Sequence, residues 1–183
     1  MSTPRFLTVI LATLMLVSGT SAAQRPEPFT GAFDPEDVLV NLEQMVVDRD
    51  WKRYGDFLAK QFRFIPYSAV YLEYPTVAWD LWGQAREIGF VEELVSPSQG
   101  GATLKLMDNV LDRGPESRGR AEWDLVYTLS TRGQVFQSRA IFVFQKVDNL
   151  WFLREWIDTT IETDKDSEAA IPTSGSLRGA LSQ

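Results

Sequence analysis

The chain has 183 residues with a formal net charge of −7, no cysteine and no histidine. Without those two side chains there is no thiolate nucleophile, no imidazole base and no Cys/His metal site, so any chemistry must run on carboxylates, Tyr, Lys or Arg. The acidity, with no basic cluster anywhere, argues against nucleic acid and anionic membrane surfaces as partners.

The N-terminus reads as a secretory signal over residues 1–23. Arg5 supplies the positive start, Phe6 to Val17 the apolar stretch, and Ser21-Ala22-Ala23 the small residues before a cut at Gln24. That stretch is shorter than the roughly 20 residues of a spanning helix, so an uncleaved anchor is the lesser alternative. The expectation is an exported protein with no membrane span in its mature chain. No cysteine follows the apolar stretch to carry a lipid. Cleavage removes one charge, Arg5, and leaves the remainder more acidic still.

Residues 24–33 form a Pro- and Gly-containing lead-in. Asp34-Pro35 then has the pattern of a helix cap followed by proline in the first turn. Val38, Leu39, Leu42, Met45 and Val46 recur at helical spacing behind it. Asp50 is a second cap, opening a helix that buries Trp51, Tyr54, Phe57 and Leu58. Residues 62–66 are extended and stop at Pro66. A third helix is expected over 76–94, with Trp79, Trp82, Phe90 and Leu94 on one side and Arg86 interrupting the stripe; Gly83 and Gly89 each weaken it by about 1 kcal/mol relative to Ala.

The period then changes to two. Leu104 and Leu106 alternate with polar neighbours, 112–119 is a polar loop, and Ala121, Trp123, Leu125, Tyr127 and Leu129 share one strand face. Thr131-Arg132-Gly133 turns into a strand over 135–147, and Asp148-Asn149 turns into another over 150–158. Residues 162–183 have the composition of a disordered tail. Helices followed by an antiparallel meander make an α+β fold, with three N-terminal helices packed on one sheet. The strand 135–147 is apolar on both faces, with Val135, Ile141 and Val143 on one and Phe136, Ala140, Phe142 and Phe144 on the other. One row therefore needs a cover from a second subunit or from the chain's own extensions.

The runs DRDWKRYGDFLAKQFRFIP at 48–66 and AIFVFQKVDNLWFLREWID at 140–158 resemble the nuclear transport factor 2-like superfamily, which includes SnoaL-like and ketosteroid-isomerase-like domains. The likeness lies in an acidic-x-acidic-Trp helix leading to Phe-x-Phe, and in a closing phenylalanine strand, Asp turn and Trp. It covers residues 34–160, with Asn149 where the family commonly has Gly. It implies a cone-shaped α+β barrel over 34–161, a strongly curved, mostly antiparallel sheet around the helices, and a pocket at the open end. It also implies a homodimer through the outer sheet face, placed here around Phe142 and Phe144. Family enzymes set an Asp base inside the cone, often beside His or Tyr. Without histidine, the scytalone-dehydratase-like arrangement and many SnoaL-like ones do not transfer; an Asp/Tyr isomerase-like or Arg/Asp epoxide-hydrolase-like site remains open.

The candidate catalytic residues are Asp158 as base and Tyr127 as hydrogen-bond donor. Arg139, Arg154, Trp156 and Arg86 are candidates for holding a small polar or anionic ligand in the cone. Against each stands a plainer role: a cross-strand ion pair for Arg139 with Asp158, core packing for Tyr127, and a guanidinium reaching past aromatics to water for Arg86. Glu92-Glu93 and Glu122 with Asp124 lack a third ligand, so no metal and no cofactor is expected. The leading expectation is an exported, non-catalytic ligand-binding or dimeric interaction module. The alternative is a small hydrolase, isomerase or dehydratase using Asp158. A structural subunit of a larger envelope assembly is a third class, behind the enzyme.

Overall fold

A computed structural model describes residues 31–159 and 173–182. The expected signal at 1–23, most of the lead-in and residues 160–172 lie outside the described residues. Among those described, no helix is long and apolar enough to cross a membrane.

Helix α1 (Pro35–Asp48) begins as its sequence requires. The Asp34 carboxylate accepts from the Asp37 amide and Asp37 returns a bond to the Asp34 amide, closing a capping box. Its buried stripe is Val38, Leu39, Leu42, Met45 and Val46. Asp50 caps the short α2 (Trp51–Tyr54), and a 3₁₀ turn over Gly55–Phe57 leads into β1 (Leu58–Ile65).

The helix expected over 76–94 is divided. A short helix α3 (Ser68–Glu73) precedes it, Trp79–Leu81 is a single 3₁₀ turn, and α4 (Gln84–Leu94) begins only after Gly83. Gly83 is extended and bridges to Arg63 of β1, which takes Trp79 and Trp82 off the helix and stacks their rings 5.2 Å apart.

The strands are β2 (Ala102–Lys105), β3 (Val110–Arg113), β4 (Arg120–Thr131), β5 (Gln134–Val147) and β6 (Leu150–Thr159). They form one sheet in the order β1-β6-β5-β4-β2, with β3 also on β4. Only the β1–β6 pair is parallel; it brings the first strand back beside the last. β3 occupies the start of the stretch expected as a polar loop. The helices and the inward faces of the strands share one core, so the architecture is helices packed on a six-stranded, mostly antiparallel sheet.

Two features correct the expected faces. First, Phe142 and Phe144 point inward: both are fully buried, against Trp156 and Trp123. They cannot form an outer dimer contact. Their neighbours on the other face are Ile141, half-buried, and Val143, which is itself 1% exposed. Second, the β5–β6 register slips between Val143 and Phe144, setting Leu153 opposite Phe144 and Glu155 opposite Val143. Arg154 is the extra residue of this bulge. A one-residue slip exchanges the faces of everything beyond it. Trp151 and Leu153 therefore point inward before the bulge, and Trp156 and Asp158 after it.

The expectation of a disordered tail is also corrected over its described part. Ser174–Leu181 forms helix α5, with Thr173 capping the Ser176 amide. It buries Ser174, Gly175, Arg178 and Gly179 rather than an apolar stripe. Gly175 faces Val70 and Pro66, and a Cβ at Gly179 would overlap the Tyr74 ring, so the helix fits closely because these two positions lack side chains.

Candidate functional site

Inside the cone, β4 contributes Tyr127, β6 contributes Trp156 and Asp158, α4 contributes Glu87, and α5 inserts Ser174 and Arg178. All six are at most 4% exposed. The Tyr127 hydroxyl donates to Asp158 Oδ1 at 2.6 Å, and Trp156 Nε1 donates to the same oxygen at 2.9 Å. Ser174 Oγ donates to Asp158 Oδ2 at 3.2 Å and also contacts the Tyr127 hydroxyl. The two expected catalytic residues are thus brought together, under a third group that lies in the stretch expected to be a tail.

Arg178 fills the centre. Its Nε and Nη2 donate to the two oxygens of Glu87 at 3.0 and 2.5 Å, and Nη1 donates to Ser174 Oγ at 2.6 Å. The guanidinium lies 4.0 Å from the Phe64 ring centre and 4.6 Å from those of Phe90 and Trp156. Glu87 also accepts from Trp82 Nε1 at 2.8 Å. A planar cation with five donors matches a carboxylate fork below and ring faces around it, which a lysine would not.

The electrostatics follow from the dry surroundings. Burial raises the Asp158 carboxyl to about 6, although the Arg178 charge and the Tyr127, Trp156 and Ser174 bonds all pull it down. Burial also lifts the Tyr127 phenol well above its usual range, and the Asp158 charge adds to this. Tyr54 is raised by burial and by Glu87. Burial works against the Arg178 charge, and Glu87 more than offsets it, so the guanidinium stays protonated.

The remaining candidates lie elsewhere. Arg139 sits at the Asp158 end of the sheet, opposite Thr159, but on the outer face, where its Nε donates to Asp124 Oδ1 at 2.8 Å. The expected Arg139–Asp158 pair therefore does not form, because neighbouring strand positions point to opposite faces. Arg154, at the bulge, is exposed and 4.0 Å from Glu155. Arg86 donates to the Ala78 carbonyl at 3.0 Å, on the rim of an open groove of about 420 Å³ that Trp82, Phe90 and Leu181 also line. Trp156 is in the interior cluster.

Glu87, Ser174 and Arg178 were not among the sequence candidates. The signal for α5 was short: a Thr173 cap, Leu177 and Leu181 one turn apart, and small residues at 174, 175 and 179. Among the described residues no group of three or more acidic side chains is placed to hold a metal ion.

No protein-family model matches the chain, and no curated protein matches it by sequence. Solved structures do match by shape. One is Bd1075 of Bdellovibrio bacteriovorus, with a TM-score of 0.52 and 8% identity; the match covers 70% of this chain and 40% of that one. Another is a candidate scytalone dehydratase from Novosphingobium aromaticivorans, with a TM-score of 0.53, 12% identity and coverage of 75% and 89%. A third is a nuclear transport factor 2-like protein of unknown function from Shewanella oneidensis, at 0.51, 14%, and 68% and 98%. At such identities the likeness is one of fold.

Proposed function

Since the chain has the nuclear transport factor 2-like fold, we propose that it is an exported, non-catalytic interaction module that pairs with a second copy through its convex sheet face. One observation carries the non-catalytic part: the place where a cone of this kind would admit a substrate is filled by Arg178, which is 1% exposed. Around it, Tyr127, Trp156, Asp158, Ser174 and Glu87 are bonded to one another or to Arg178.

Support for pairing comes from the outer face. Ile65, Ile157 and Ile141 stand opposite one another on three adjacent strands, each half-buried. The ion pairs Arg63–Glu155 and Arg139–Asp124 flank this row. An apolar centre with a charged rim is the composition of a protein contact. Export is supported by the signal pattern of residues 1–23.

The test is sedimentation of the mature chain. A dimer is expected, converting to a folded monomer in Ile141→Glu. A wild-type monomer, or a dimer indifferent to Ile141→Glu, removes the convex-face contact.

A second reading, a small hydrolase, isomerase or dehydratase, is favoured by one observation. Asp158, raised to about 6 by burial, is held against Tyr127 in the interior. It requires α5 to leave the cone. Turnover that survives Asp158→Asn would dispose of it.

A further inference from the structure

We propose that the inside of the cone is a recognition site for one arginine side chain carried on a short helix: α5 fills it within the chain, and α5 of a second copy can fill it in trans. This rests on the non-catalytic reading above and names the chemistry that the interior selects.

The receptor is complete on its own. Glu87 takes two guanidinium N–H groups, and Phe64, Phe90 and Trp156 surround the flat cation. Remove α5, and Glu87 and Asp158 are left in an aromatic-lined interior without their cation. An interior with two carboxylates and several ring faces calls for a delocalised, weakly hydrated cation, which a guanidinium is.

The helix, by contrast, brings little apolar surface of its own. Its buried face is Ser174, Gly175, Arg178 and Gly179, and Leu177 and Leu181 are only partly buried. Recognition therefore centres on Arg178, with Gly175 and Gly179 permitting close approach. Residues 160–172 connect β6 to α5, and that length can extend to about 45 Å. A folded unit of this size has a radius of gyration of about 14 Å, so the helix can reach a neighbouring cone.

The experiment uses the full chain carrying Gly179→Leu, which blocks docking at Tyr74 and leaves every receptor residue in place. It is titrated with a synthetic peptide of residues 173–183, read by the fluorescence of Trp82 and Trp156. Saturable binding is expected, at least tenfold weaker for the Arg178→Lys peptide and absent for the Arg178→Met peptide. The wild-type chain, already filled, should need more than tenfold higher peptide. No saturable response, or equal affinity for the Arg178→Met peptide, overturns the proposal. If Gly179→Leu does not fold, the same titration of the Arg178→Met chain decides in the same way. Dimerisation through Ile141 is measured separately on the wild type, so loss of peptide binding with that dimer intact sinks this inference alone.

Discussion

Arg178 and Glu87 are 91 positions apart in the chain and meet inside the cone, with their side chains 1% and 0% exposed and Nη2 2.5 Å from Oε1. Neither charge has water to fall back on. Such a pair adds little over an apolar substitute, but breaking it leaves a buried charge uncompensated. Glu87→Gln should therefore lower stability by about 3–5 kcal/mol. Because both residues belong to one network, Glu87→Gln with Arg178→Met should cost clearly less than the two single changes added together. Urea unfolding of the three variants measures this; strict additivity would show that the pair is not coupled.

Asp158 gives the fold a pH dependence of unusual sign. Its carboxyl is raised by burial from 3.8 to about 6 in the folded chain. The folded state then holds a proton that the unfolded state has released, so this residue's contribution to stability falls as pH rises from about 4 to about 6. A two-unit shift corresponds to about 3 kcal/mol at most. Asp158→Asn should remove that slope, so the stability difference between variant and wild type changes across this window and is flat above it. In Arg178→Met, the Asp158 carboxyl should titrate higher than in wild type, because a charge that pulls it down is gone. Carboxyl carbon shifts in an NMR titration read this directly.

The two faces of β5 should respond differently to truncation. Phe142 packs against Trp156 with ring centres 4.6 Å apart and is fully buried. Phe142→Ala should cost about 3–5 kcal/mol. Val135, which is 56% exposed, should tolerate Ala within about 0.5 kcal/mol. Thermal denaturation of both variants tests the assignment of faces, and similar losses would contradict it.

The Arg139–Asp124 pair has two-pronged geometry but lies at the rim of the outer face, with the Arg139 side chain 47% exposed. A double-mutant cycle with Arg139→Ala and Asp124→Ala should give a coupling of about 1 kcal/mol or less. The coupling should shrink further at high salt. A larger, salt-insensitive value would mean that the pair lies inside the contact between copies rather than at its rim.

Much of the fold was legible in the chain because its signals are local. The Asp34-Pro35 cap and the stripe behind it needed only neighbours within a turn or two, and α1 runs as they require. The alternation Ala121, Trp123, Leu125, Tyr127 set the inward face of β4. Asp148 and Asn149 both take positive φ in the hairpin their sequence suggested. Tyr127 was legible as a polar tip on an apolar strand face; Asp158 was legible only as a candidate base with Tyr127 or Arg139 beside it, and the structure sets it against Tyr127.

What tertiary structure alone decided depends on long-range closure. The bulge at Arg154 adds one residue to a period-two pattern and leaves no mark in composition, yet it determines that Asp158 points inward and Arg154 does not. Gly83 divides the expected third helix because β1 offers it a bridging partner. The polar residues 173–182, read singly, bury too little apolar surface to order themselves. They fold where they do because a carboxylate and three aromatic rings from α4, β1 and β6 converge on the spot that Arg178 can reach.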